Sequence, residues 1–364
     1  MKNLTWQNPE QLFVAQELIN KVKSKCCGIK EYIMESDEIV VSIVCEVFNH
    51  EQYLERCLQG FVMQKTNFKY EILIHDDAST DGSVDVLKKY VSKYPDLFKP
   101  IYQKENQFSK GVGIWRTIQF PRAKGKYIAL CEGDDYWIDP LKLQKQVDVL
   151  ETHPECVMVF NRILTFSQEK NAFIRGKQYN GKTGYVKNKD LILKGGLFVP
   201  TCSMLFRNKL ITPLFSKSYI QNCHVGDYPL QILCAVIGKC YYLADEMSVY
   251  RVGNSSSWMG KQKRDDINKN LRGYKSELDM LVGFMKDYPT YKNIIRKRLN
   301  YYMNTMYRPK VSREGFKKLD DMVGNYKKYR TWIWRLDLKF RKVHVRKLRQ
   351  LYHGCRFFYS AYRI

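Results

Sequence analysis

Two acidic stretches hold the side chains with the most chemical potential. Glu132-Gly133-Asp134-Asp135 follows the apolar run Tyr127–Cys131, and His75-Asp76-Asp77-Ala78-Ser79-Thr80-Asp81-Gly82 follows Ile72–Ile74. Residues 132 and 134 are two apart, so at an extended strand end they face one side. Two carboxylates on one side suit a hard divalent cation such as Mg2+ or Mn2+, which prefers oxygen ligands and often bridges to a diphosphate. Gly133 between them lets a ligand approach the backbone. Adjacent Asp76 and Asp77 must diverge, so one can accept hydrogen bonds from a ligand while the other holds its loop. Asp81, just before a helical pattern, fits a helix cap. Asp227, before Tyr228-Pro229, fits a helix N-cap.

The elements that must position these acids are legible from periodicity. Short apolar runs at Ile39–Val44, Tyr70–Ile74, Lys99–Tyr102, Tyr127–Cys131 and Val157–Phe160 predict strands. Between them Glu51–Met63, Gly82–Tyr94, Val112–Ala123 and Leu141–Thr152 predict helices, with Pro121 ending the third. This alternation predicts an α/β fold, a Rossmann-like, mostly parallel sheet flanked by helices. In such sheets ligands bind beyond the carboxyl ends of the strands, where both acidic stretches fall. Neither G-x-G-x-x-G nor a Walker G-K-[ST] sequence is present.

The chain has 364 residues, 61 basic and 37 acidic side chains, and a net charge of +24. This basic balance points to an anionic partner. Much of it sits at residues 325–364, with 12 Lys or Arg against Asp337 alone and ten Trp, Phe or Tyr residues. A basic, aromatic segment of this kind suits an anionic membrane surface; a solvated packing face and nucleic acid are the alternatives, and no nucleic-acid motif supports the last. The 11 cysteines lack C-x-x-C or zinc spacing and read as buried free thiols in a reducing compartment. The N-terminal stretch is not that of a signal peptide, and no run of about 18 apolar residues occurs. A cytoplasmic protein, peripheral on the inner face of the membrane, is expected. Three parts are expected: a helical lead-in at 1–36, a catalytic domain at 37–258 and a basic, mainly helical region at 259–364.

Three strand-end motifs together carry a family likeness. Val41-Ser42-Ile43-Val44-Cys45-Glu46-Val47-Phe48-Asn49-His50, Asp76-Asp77-Ala78-Ser79-Thr80-Asp81-Gly82 and Glu132-Gly133-Asp134-Asp135-Tyr136-Trp137 resemble the family 2 glycosyltransferases of the GT-A (nucleotide-diphospho-sugar transferase) fold, in particular those of bacterial surface polysaccharide synthesis. The resemblance covers roughly residues 38–160 and weakens towards Trp258. It implies that Val47, Phe48 and Asn49 line the nucleoside pocket and that Asp76 and Asp77 bind base and ribose. It implies a D-x-D-like metal site at Glu132 and Asp134 for Mn2+ or Mg2+, and sugar or acceptor contacts at Asp135 and Trp137. Asp227 would be the catalytic base of an inverting transfer, and Arg251 would bind the donor diphosphate. The implied donor is a nucleoside diphosphate sugar, UDP-linked; the acceptor is a saccharide, lipid-linked in many relatives. Three positions depart from the family pattern: Cys45-Glu46 replaces a usual Pro-Thr, Glu132 replaces the first Asp, and Gly253 stands where His is common. The other readings are a non-catalytic membrane-surface assembly protein of the same fold and, lacking a Gly-rich basic loop, a nucleotidyltransferase. His75 is expected to pack locally, Lys110 and Arg116 to be structural, and Pro200-Thr201-Cys202-Ser203 to pack in the core or border the acceptor cavity.

Overall fold

A computed structural model describes residues 38–176, 178–253, 267–306 and 313–330. The expected lead-in at 1–36 and most of the basic segment at 325–364 lie outside the described residues. The chain divides into two compact units, Met1–Arg264 and Asp265–Ile364.

The first unit is built on one sheet. Its strands are β1 (Ile39–Val47), β2 (Lys69–Asp76), β3 (Phe98–Tyr102), β4 (Tyr127–Leu130), β5 (Tyr136–Trp137), β6 (Cys156–Ser167), β7 (Ala172–Ile174), β8 (Gly184–Val186), β9 (Met204–Arg207) and β10 (Lys239–Val252). The order is β3-β2-β1-β4-β9-β6-β10-β5, with β7 on β6 and β8 on β10. The four strands β3-β2-β1-β4 are parallel to one another, as expected. The rest is mixed: β9 runs antiparallel to both β4 and β6, β5 runs antiparallel to β10, and β6 and β10 pair in parallel. The sheet is therefore less parallel than expected. β9 and the two-residue β5 are too short for apolar periodicity to reveal their direction.

β1 sits inside the sheet, and its burial is nearly continuous (Val41, Ile43, Val44 and Cys45 are all essentially inaccessible). That is why its sequence reads as an unbroken β-branched run. The helix α1 (Glu51–Val62) covers one face with Leu54, Cys57, Leu58 and Phe61, spaced three and four apart. Full burial of each large apolar side chain is worth about 1.5–3 kcal/mol. Helix α2 (Ser83–Lys93) buries Leu87, and α3 (Lys142–Thr152) buries Leu143, Val147 and Leu150. The predicted helix at Val112–Ala123 forms, but as a π-helical turn, Trp115–Gln119, running into Phe120–Arg122. Pro121 has no N–H to give the carbonyl four residues back, so the ladder widens there instead of ending. The buried Gln119 amide then donates to the carbonyls of Cys45 (3.3 Å) and Leu73 (3.0 Å), tying this turn to β1 and β2. Further on come α4 (Asn188–Lys194) and α5 (Asp227–Ile237).

The second unit contains α6 (Ile267–Asp287), α7 (Lys292–Met306) and α8 (Arg313–Gly324). Leu281, Phe284, Leu299, Met303, Leu319 and Val323 are buried there, and the Tyr326 hydroxyl donates to Asp279 at 2.6 Å. The eight cysteines among the described residues are free and buried. No helix among the described residues is long and apolar enough to cross a membrane.

Candidate active site

The site is assembled from the carboxyl ends of β1, β2 and β4. Parallel pairing puts Val47 beside Asp76, and the Asp77 N–H donates to the Val47 carbonyl at 2.8 Å. Beyond β4, Cys131 N–H donates to Val44 O and Gly133 N–H to Glu46 O, so the acidic loop stays bound to β1. The two strand-end turns use left-handed backbone at Asn49 (φ 56°) and Ala78 (φ 62°). For Ala this conformation costs of order 1 kcal/mol. Side-chain hydrogen bonds hold the pair: Asn49 Oδ1 accepts from Thr80 N–H at 2.8 Å, and Ser79 Oγ accepts from Asn49 N–H at 3.0 Å.

The two neighbouring aspartates have separate jobs. Asp77 is held by the segment after β3, each oxygen accepting one bond, from Gln107 N–H (2.7 Å) and Phe108 N–H (3.0 Å). Asp76 accepts one bond from Ser79 N–H at 3.1 Å, and its other oxygen, Oδ1, is buried with no hydrogen-bond partner. A buried carboxylate oxygen left without a donor costs about 1–3 kcal/mol unless a ligand satisfies it. Asp81 accepts from Ser83 N–H at the start of α2, as expected, and also from Glu51 N–H at the start of α1.

Glu132, Asp134 and Asp227 converge although Asp227 is about 90 residues away in sequence. Burial raises the Glu132 carboxyl well above the usual carboxylate range, and the negative charges of Asp134 and then Asp227 add to it. Burial also raises Asp227, partly offset by the Tyr228 N–H, which donates to its Oδ1 at 2.8 Å. Asp227 is the first residue of α5, and the Gly196 turn lies so close that a Cβ on Gly196 would be 2.8 Å from Asp227 Oδ2. Arg116, as expected, is structural: its guanidinium donates to Ile220 O (3.0 Å) and Cys223 O (3.3 Å), fixing the turn ahead of Asp227.

His50 and Glu46 are members of the site that residue-type reasoning passed over. His50 Nε2 lies 4.0 Å from Asp134 Oδ2, and its ring fills the space a side chain on Gly133 would need, with Nδ1 2.7 Å from that Cβ position. Glu46 is raised well above the ordinary range by burial first, then by the charges of Glu132 and Asp77, with Arg116 opposing. The only signal for His50 was its place at the end of the β1 motif; for Glu46 it was the departure from family pattern.

Other expected site residues are held away from solvent. Trp137 is 2% exposed; its Nε1 donates to Cys202 O at 2.9 Å, its ring meets Phe61 edge-on at 4.9 Å, and the Lys142 ammonium sits 4.1 Å over it. It props the acidic loop from the core side and presents almost no surface to a sugar. Asp135 is 1% exposed and accepts from Arg251 N–H at 2.8 Å. Arg251 is 9% exposed, with Nε donating to Asp134 O at 2.8 Å, so it braces the same loop. Val47 is buried and contributes its backbone, whereas Phe48 and Asn49 are partly open. His75 is fully buried beside Gln103, and the Thr201–Ser203 turn is buried, both matching the packing alternative. Lys110 pairs with exposed Glu105.

No group of three His, Cys, Asp or Glu among the described residues is arranged as a metal cage. Two mutually repelling carboxylates fit Mg2+ or Mn2+ in the manner of sites completed by a substrate diphosphate, and a cation would relieve the repulsion that raises Glu132.

Residues 42–215 match the family described as Glycosyl transferase family 2. Uncharacterized protein Rv1520 of Mycobacterium tuberculosis is 34% identical over 223 residues, 60% of this chain and 60% of its own length. The matched stretch thus spans about three-fifths of that relative. TuaG of Bacillus subtilis, which carries a provisional name as a teichuronic acid biosynthesis glycosyltransferase, is 32% identical over 111 residues, 30% of this chain and 42% of its own. The structure of Staphylococcus aureus TarS 1–349 with UDP superposes with a TM-score of 0.61 at 15% identity, covering 80% of this chain and 81% of that one. The fold is GT-A.

Proposed function

We propose that the protein transfers a sugar from a nucleoside diphosphate sugar, UDP-linked, to a saccharide hydroxyl, with inversion, in bacterial surface polysaccharide synthesis. The observation that carries this is that Asp134 and Asp227 both act on the buried Glu132 carboxyl, while at the end of β2 a buried Asp76 oxygen lacks a donor. The UDP bound by TarS and the name of TuaG support the donor and the pathway class.

In this reading Asp76 accepts a hydrogen bond from the nucleoside, while Val47, Phe48 and Asn49 wall its pocket. Asp77 acts indirectly, fixing the 107–108 loop. Glu132 and Asp134 would hold Mn2+ or Mg2+, which stabilises charge on a departing diphosphate when bound. Asp227, raised by burial, takes the acceptor proton as the oxygen attacks the anomeric carbon from the opposite face to the leaving group. No second carboxylate is needed as a nucleophile. Asp135, Trp137 and Arg251 position the loop. The basic C-terminal region would hold the protein on the cytoplasmic face of an anionic membrane, close to a lipid-linked acceptor.

The test is transfer and donor hydrolysis across a panel of UDP sugars, with wild type and Asp227→Asn. The variant should bind UDP normally and lose about 100- to 10,000-fold in kcat. Equal turnover would remove Asp227 from the mechanism, and no nucleotide binding by wild type would remove the transferase reading.

A further inference from the structure

A second feature lies between α1 and Arg251 of β10. An open pocket of about 480 Å3 is lined by Gln52, Tyr53, Arg56, Gln59, Gln168 and Arg251, with Glu55 as its single carboxylate. Its volume is within the usual range for small-molecule sites. Two guanidinium groups share the Tyr136 ring there: Arg56 at 5.2 Å and Arg251 at 5.3 Å from its centroid. Arg251 is also 4.7 Å from the Tyr53 centroid. It is nine-tenths buried, yet only two of its guanidinium nitrogens find partners among the described residues, Nε with Asp134 O and Nη1 with Gln168 Oε1 at 3.4 Å. Arg56 makes no ion pair or hydrogen bond among the described residues.

This is the chemistry of an acidic saccharide. Two guanidinium groups suit one oxyanion, carboxamides of Gln52 and Gln168 suit hydroxyls, and the Tyr53 ring suits a sugar face. The pocket draws Gln52, Tyr53, Arg56 and Gln59 from α1 and Arg251 from β10. It is joined to the acidic loop, because Arg251 holds both the Asp134 carbonyl and, through its N–H, the Asp135 carboxylate. We propose that the pocket binds an acidic unit of the acceptor saccharide, its carboxylate or phosphate lying between Arg56 and Arg251, and so couples acceptor occupancy to the loop that presents Asp134. The acceptor role rests on the transferase reading; the binding does not.

The experiment is equilibrium binding by calorimetry with the full chain. The probes are a short oligogalacturonate, a short poly(glycerol phosphate), a neutral malto-oligosaccharide and UDP. At least one acidic oligomer should bind more tightly than the neutral one, and the better of the two names the acid. Arg56→Gln should weaken it about tenfold, Gln168→Glu should weaken it by like-charge repulsion, and Arg56→Gln should leave UDP binding unchanged. No preference for an acidic oligomer, or equal binding by wild type and both variants, overturns the proposal. Loss of UDP binding in Arg56→Gln also overturns it, by assigning the pocket to the donor. Because no turnover is required, a protein inactive on every nucleotide sugar would sink the transferase reading and leave this result standing.

Discussion

Lys142 is a charged side chain buried beneath the acidic loop, and replacing it with methionine gives a prediction with a worked magnitude. Its ammonium lies 4.1 Å over Trp137 and donates to Gln146 Oε1 at 2.7 Å, with no accessible surface. Burial pushes its pKa down to about 7, against an ordinary value of 10.5, with Cys131, Cys202 and Asp139 opposing. Between those two values the unfolded chain holds a proton that the folded chain has released, so this group makes stability rise with pH across that window. Each pKa unit is about 1.36 kcal/mol, so keeping the lysine costs about 4 kcal/mol at pH ~7 and about 2 kcal/mol at pH ~9. Methionine removes that cost and also loses the Gln146 bond and the contact with Trp137, together about 2 kcal/mol. Lys142→Met should therefore be more stable by about 2 kcal/mol at pH ~7, and this gain should vanish by pH ~9. Urea unfolding of both proteins in reductant at the two pH values measures it. Taking the difference between variant and wild type cancels the cysteine titrations that both share. A difference that does not change with pH would refute the reasoning.

Two other substitutions test the site's construction. Gly133→Ala puts a methyl group 2.7 Å from His50 Nδ1 and 3.3 Å from the Glu46 carbonyl, so it should cost about 1–3 kcal/mol, read as a lower Tm; an unchanged Tm would show that His50 moves freely. Asp76→Asn keeps the acceptor for Ser79 N–H but exchanges a carboxylate oxygen for another group at the unpartnered position, and should weaken UDP about tenfold with little change in Tm. Unaltered UDP affinity would exclude Asp76 from the nucleoside pocket.

The parallel half of the sheet was legible because each strand there is a short apolar run and each helix shows its own period. The mixed half was not: β5 has two residues and β9 four, and their pairing is set by contacts with β10, β4 and β6 that lie far away in sequence. The acidic loops were found because carboxylates after apolar strands are conspicuous. What each carboxylate does was less legible. Asp76 and Asp77 are alike by type, and only the 107–108 backbone separates them. Trp137 resembled a sugar platform beside the acidic motif, but its ring is buried, with Nε1 donating to the Cys202 carbonyl. Arg251 was drawn to the diphosphate by its charge, whereas the structure ties it to Asp134 O and Asp135.

The most direct measurement of the central claim is calorimetric titration of UDP, with and without Mn2+, into wild type and Asp134→Ala. If Glu132 and Asp134 share a divalent ion with the donor diphosphate, Mn2+ tightens UDP binding at least ~10-fold in wild type and has no effect in the variant. Equal metal dependence in both proteins, or metal-independent binding in wild type, would contradict the assignment.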